Sequence, residues 1–215
     1  MSKATERAEL PQTPPPALGA LFLSGSLALD LVNTEMVVRG KKRDVLSSPD
    51  ALAGWWEAAR KQHPDLELVT GAGASVVWTS ELLDAIKALR GALRTLSTHV
   101  VEQWTVEEED LQPINAILAQ GYSAIERTSQ GTVKAVIHLR NPEQDGALFP
   151  IALSALRLFT GSDWQRLHKC KNDRCVLFFY DATRSGTRLW CSLGCMDRAR
   201  SIQRYQRTKN QASYR

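Results

Sequence analysis

The sequence predicts an α+β protein in two parts. A mostly helical N-terminal domain carries one small β-hairpin, and a C-terminal cysteine-bearing module is built from a knuckle, a hairpin and a helix. Three observations predict this. Apolar residues recur at three- and four-residue steps through most of residues 19–162, broken by one alternating stretch near residues 122–140. All four cysteines fall in the last fifth of the chain, as Cys170-x4-Cys175 and Cys191-x3-Cys195. Charge divides at the same place: residues 164–215 hold 12 Lys+Arg and 3 Asp+Glu (net +9), residues 1–163 hold 15 and 20 (net −5).

The totals bound the rest. A length of 215 residues, 43% hydrophobic and 23% charged, suits a soluble globular protein with one domain and a small appendage. Neither a signal-peptide core nor a membrane-length apolar run is evident, so a cytoplasmic protein without membrane contact is expected. Cysteines there are thiols or metal ligands.

Residues 1–18, with Pro11, Pro14, Pro15 and Pro16, read as a disordered arm. LFLSGSLALDLVNTE (21–35) is dense enough in apolar residues to be buried, and a helix is expected after Ser24 or Gly25. RGKKRD (Arg39–Asp44) reads as a basic turn. Ser48-Pro49-Asp50 starts a helix whose apolar side is Leu52, Trp55, Trp56 and Ala59, and which stops before Pro64. GAGA (Gly71–Ala74) is a break. Leu82, Ile86, Leu89, Leu93 and Leu96 form one stripe on a long helix over about 76–104. Another helix covers 107–121, acidic at its start and ended by Gly121. YSAIERT and TVKAVIHLR then form a hairpin around Ser129-Gln130-Gly131, with Val133, Ala135, Ile137 and Leu139 on a covered face. Residues 147–161 read as an apolar helix interrupted by Pro150.

Residues 163–215 form the second part. Two close cysteine pairs can place four thiolates around one Zn²⁺. Cys170–Cys175 reads as a knuckle, VLFFYD and TRLWC as a hairpin around Ala182–Gly186, and Ser192 as the cap of a helix running to about Lys209 with Cys195 in its first turn. The result is a treble-clef-like site. With four sulfurs it has no open coordination position, so the metal is structural. At about 100° per residue, Arg200, Arg204 and Arg207 share a narrow sector of that helix. Arg198, Ile202 and Tyr205 fall on another side: Ile202 and Tyr205 are read as packed on the module, with Arg198 beside the metal and counted with the DNA-binding arginines. Arg184, Arg188 and Lys169 extend the basic surface, which suits phosphates of DNA. A solvated basic helix is the bland alternative.

No Gly-rich phosphate loop, H-E-x-x-H or G-x-S-x-G is present, and His63, His99, His138 and His168 are scattered. An enzyme is not expected. The best candidates for a small-molecule pocket are Asp30, Asn33 and Thr34 with Arg90 and Arg94; the alternative is that they hold the fold together.

The chain also resembles a known family. Phe179, Asp181, Thr183, Arg184, Arg188, Trp190, Cys191, Ser192, Cys195, Arg198 and Arg200 match the pattern of the CGNR zinc finger. FLSGSLALDLVNTE, RGKKRDVLSSPDALAGWW, LRGALR and INAIL resemble the ABATE domain that usually precedes it. The resemblance implies a bacterial stress-responsive transcriptional regulator with a zinc-dependent DNA-binding module. Met196-Asp197 departs from the family's Gly-Asn. Either Asp197 is internal, paired with Arg198 or a hairpin arginine, or this chain binds DNA differently or weakly. The expected function is a zinc-containing DNA-binding regulator whose N-terminal domain senses a small ligand or mediates assembly, with homodimerisation as a further expectation. The rival readings are an adaptor that docks a protein through the finger, and an enzyme with an N-terminal pocket.

Overall fold

The computed structural model describes residues 22, 25–64, 66, 76–103 and 105–212. The Pro-rich arm and the GAGA break lie outside the described residues. Among those described, no helix is long and apolar enough to cross a membrane.

The core is assembled around a short helix, α1 (Leu27–Val32), all six residues of which are buried. A helix buried on every side, Asp30 included, lies inside the core rather than on its surface. It packs against α3 (Ser80–Thr98) and α5 (Pro142–Thr160). The expected apolar stripe of α3 is buried, joined by Leu83 and by the polar Arg90 and Ser97. Thr79 caps this helix by accepting from the Leu82 N–H at 3.2 Å. Beyond Thr98 the chain continues as a π turn, His99–Gln103, so the long helix is shorter than its periodicity suggested. Helix α2 (Pro49–Gln62) begins as expected, with Ser48 Oγ accepting from the Ala51 N–H and Pro49 in the first turn. Its Leu52, Trp55, Trp56 and Ala59 are buried.

Three expectations change. The basic stretch after Val38 is more than a turn: Glu35–Val38 (β1) pairs with Lys41–Asp44 (β2), and Arg39 and Gly40 both take positive φ (51° and 79°), as a two-residue hairpin turn requires. Helix α5 starts at Pro142 and is not interrupted by Pro150. Burial of Ala147, Leu148, Phe149, Ile151, Ala152 and Ala155 against the core holds it through the missing hydrogen bond. Helix α4 (Glu108–Leu118) ends before Gly121, which instead begins β3 (Gly121–Arg127).

Strand β3 pairs with β4 (Val133–Leu139), and the register places Ile125 beside Ala135 and Ser123 beside Ile137. The expected apolar face exists, but only its base is covered. Ile137 and Leu139 are half-buried, whereas Ile125 and Val133 are 79% and 73% exposed. The helices α4 and α5 meet the start of the hairpin and leave its tip in solvent.

The C-terminal part is continuous with this core. Strand β5 (Leu167–Lys169) pairs antiparallel with β6 (Phe178–Tyr180), and the first cysteine pair lies in the connection between them. The hairpin expected between VLFFYD and TRLWC is thus formed by LHK and FFY instead. TRLWC runs back irregularly, its Leu189 carbonyl accepting from the Lys171 N–H at 2.9 Å. The last helix, α6, spans Leu193–Ala212. Leu167 and Phe178 belong to the main core, while Phe179 packs with the cysteines.

Gly121 provides a test of this packing. A Cβ there would lie 2.7 Å from the Phe149 ring and 2.8 Å from Leu139 Cδ2. Gly121→Ala should therefore destabilise the fold by about 1–3 kcal/mol, read as a lower denaturation midpoint with unchanged slope.

Candidate metal centre

The knuckle is set by its own polar residue. Asn172 Oδ1 accepts from the Arg174 N–H at 3.0 Å, and its carbonyl accepts from the Cys175 N–H at 2.8 Å, closing a tight turn that brings Cys170 and Cys175 together. The Asn172 amide also donates to the Cys195 carbonyl at 2.9 Å, which ties the knuckle to the first turn of α6. That helix starts as expected: Ser192 Oγ accepts from the Cys195 N–H at 3.3 Å.

The four sulfurs all lie within 4.8 Å of one another. Cys175 and Cys191 are 3.8 Å apart, Cys191 and Cys195 3.5 Å. Bonds of about 2.3 Å to a tetrahedral Zn²⁺ put sulfurs about 3.8 Å apart. The residues present thus fit one structural zinc ion, held by Cys170, Cys175, Cys191 and Cys195. Among the described residues no acid or histidine joins the group, and four sulfurs fill a tetrahedral set.

Left to themselves, Cys170, Cys175 and Cys191 cannot all ionise. Hydrogen bonds from Cys175 and Cys191 hold Cys170 down to about 2. The proton given to Cys170 pushes Cys175 up to about 12, and the same sharing raises Cys191. With a zinc ion bound, Cys170, Cys175, Cys191 and Cys195 would hold it as thiolates. Peptide and guanidinium donors already face the sulfurs: the Cys191 N–H reaches Cys170 Sγ at 3.5 Å, and Arg198 Nη2 reaches Cys195 Sγ at 3.6 Å. Arg198 therefore sits beside the metal site as expected.

A second set of residues supports the loop behind the sulfurs. Asp181, fully buried, accepts from the Thr183 N–H and hydroxyl and from the Arg188 N–H at 2.6–2.9 Å. Burial alone would raise its carboxyl, but the bonds from Thr183 and Arg188 outweigh it and hold the group below the usual carboxylate range. Arg188 donates to the carbonyls of Trp190 and Cys191 and lies 4.8 Å from the Phe179 ring centroid. It is therefore committed inside the module rather than to a phosphate-facing surface. Lys169 pairs with Glu102 on the π turn and is likewise not part of the basic stripe.

Arg184, Arg200, Arg204 and Arg207 are exposed. From Gln203 to Thr208 every residue of α6 is exposed, Tyr205 by 71%, so Tyr205 does not pack as its helical phase suggested. The module is too small to cover more than the first turns of α6, where Ile202 is half-buried. Asp197 is exposed too, without an ion pair to a described residue, so it is neither internal nor neutralised.

The five pocket candidates are brought together, but their polar atoms are bonded to the protein. The Asn33 amide donates to the Phe178 carbonyl at 2.8 Å, and its Oδ1 accepts from the Phe178 N–H at 3.0 Å, so Asn33 acts as a one-residue partner for the edge of β6. Arg94 donates to the carbonyls of Val32 (2.6 Å), Glu35 (3.0 Å) and Val176 (3.0 Å). Arg90 forks onto the Asp44 carboxylate at 2.6 and 2.7 Å and also donates to Thr34 Oγ1 at 2.9 Å. Asp30 holds His63 at 2.8 Å. Sequence reasoning found these residues because polar groups inside apolar text need partners. It could not tell that the partners are α1, β2 and the finger itself. Asn172 was missed, although an Asn between two ligand cysteines is a turn signal.

Two outcomes are expected. Protein purified without added zinc should contain about one Zn²⁺ per chain, Cys175→Ser should lose it, and chelation should release α6 from the body; a metal-free protein with four freely reactive thiols would contradict the site. Asn33→Leu should keep the metal but leave the Phe178 N–H and carbonyl unpaired, costing about 1–3 kcal/mol and raising amide exchange across residues 176–180.

Comparison with known families agrees with this geometry. The ABATE family model, described as "Putative stress-induced transcription regulator", matches residues 25–162. The CGNR zinc finger model matches residues 166–208. No curated protein matches the chain. The first model covers well over half of the 215 residues, and the second includes all four cysteines: the chain belongs to the ABATE family and carries a CGNR zinc finger.

Proposed function

We propose that this regulator-family chain binds DNA through α6, and that it is not an enzyme. One observation carries the reading. The metal site fixes the first turn of a helix whose remainder stands clear of the body, with Arg200, Arg204 and Arg207 exposed on it. A helix held at one end and free along its length can lie against phosphates or enter a groove, and the net +9 of residues 164–215 favours a polyanion. Arg184 can add a contact from the loop. Asp197 opposes phosphate near the first turn of α6, so the arginines beyond it supply the attraction. The family description supports a regulatory role.

Binding to a mixed duplex pool should be strong at low salt and fall steeply as salt rises. Changing Arg200, Arg204 and Arg207 together to Ala should reduce the slope of log affinity against log salt by about 2–3, with zinc content unchanged. Absence of binding at low salt would favour an adaptor that docks a protein instead.

A further inference from the structure

The five expected pocket residues do not open onto a ligand site, but the buried Asp30 reaches one from behind. A cavity of about 560 Å³ lies between the body and the finger. That volume is within the range of small-molecule sites. His63, the residue that Asp30 holds, lines it, along with Ser154 and Arg157 of α5. Across from these stand Trp164 and Tyr180 of the finger. Apolar wall comes from Leu27, Leu66, Leu153 and Leu158. We infer that this cavity is a binding site for a small aromatic monocarboxylic acid, and that its occupancy is felt by the finger.

The charge and the walls favour that class. Arg157 makes no ion pair with a described residue, although Asp163 lines the same cavity. An exposed guanidinium on a cavity walled by both polar and apolar groups can recognise a carboxylate in a forked geometry. Asp163 disfavours a second negative charge, which argues against dicarboxylates and phosphates. Trp164 and Tyr180 offer flat apolar surface to a ring. His63 is already oriented. A carboxylate can only accept, so Asp30 takes Nε2 of His63 as the donor and holds the ring in place on the cavity wall. The side chain of Asp30 is only 1% exposed and that of His63 15%, so the pair is built into the wall rather than lying on the surface.

The walls also explain how a ligand would be felt. Tyr180 ends strand β6, whose Phe179 packs on the cysteines, and Trp164 sits in the turn that leads into β5. A molecule between α5 and these two rings bears on both strands of the finger. That consequence rests on the DNA-binding reading; the binding site itself does not.

The test uses the full zinc-loaded chain without DNA. Phenylacetate and 1-naphthoate serve as probes, with phenylacetamide as the uncharged control. The acids should raise the melting temperature and change tryptophan fluorescence in a saturable way. Arg157→Gln should weaken them about tenfold or more, and Leu153→Trp, which fills the cavity, should abolish binding while zinc content and circular dichroism stay unchanged. Should Leu153→Trp fail to fold, Ser154→Leu supplies a smaller obstruction with the same expected loss. No saturable response up to about 10 mM, well above a millimolar Kd, would overturn the inference. Equal binding of the amide, or binding indifferent to both Arg157→Gln and the obstructing variants, would overturn it as well. A second titration then adds DNA. Acids that bind while DNA does not would leave the site standing and sink the regulator reading; DNA binding without any response to the acids would do the reverse.

Discussion

Strand β6 has two cores to satisfy, and the rest of the molecule is arranged around that requirement. Alternate residues of a strand point to opposite faces. Phe178 therefore enters the main core while Phe179 turns towards the four sulfurs, and both are almost fully buried. Each such ring contributes about 1.5–3 kcal/mol of burial. The strand cannot turn away from the body without exposing the first, nor from the cysteines without exposing the second. Its free edge is matched by the Asn33 amide, which donates and accepts at one residue. The zinc site is thus held to the body through a three-residue strand rather than by a linker.

The polar residues of the LALDLVNTE segment follow from the same constraint. A fully buried six-residue helix ends with carbonyls that have no partner in its own short ladder. Arg94 accepts that task, bonding the Val32 and Glu35 carbonyls and, from the same guanidinium, the Val176 carbonyl of the finger. Arg90 holds the β1–β2 hairpin through Asp44. Burial pushes the Asp44 carboxyl up, but the Arg90 bonds, the Leu46 N–H and the charges of Arg90 and Lys87 together outweigh it and hold the group below the usual range. One helix, α3, thereby orders a hairpin, the end of α1 and the back of the knuckle.

Much of the fold was legible in one dimension. The Leu stripe of α3, the Ser48 start of α2 and the Ser192 cap of α6 depend on residues within one or two turns, and local periodicity reports them. The cysteine spacing reported the metal site for the same reason: a knuckle of four intervening residues and a helical turn each fix a ligand pair locally. Where expectations shifted, the deciding contact was remote in sequence. Pro150 fails to break α5 because the core grips the helix on both sides of it. FFY pairs with LHK rather than with TRLWC because Phe178 must reach the body.

The sequence by itself determined the chemistry: four thiolates spaced for one zinc ion, a basic helix following them, and an acidic helical body preceding them. Those depend on composition and short spacing, which folding does not alter. The tertiary structure alone decided which polar groups are used and which are free. Arg188 and Arg200 look equivalent as text, yet one is locked to carbonyls and a ring while the other faces solvent. Asp30 and Asn33 both read as pocket residues, yet Asn33 clamps a strand and Asp30 orients a histidine at the wall of a cavity. A side chain's availability is set by what lies within about 3 Å of it, and those neighbours come from distant parts of the chain.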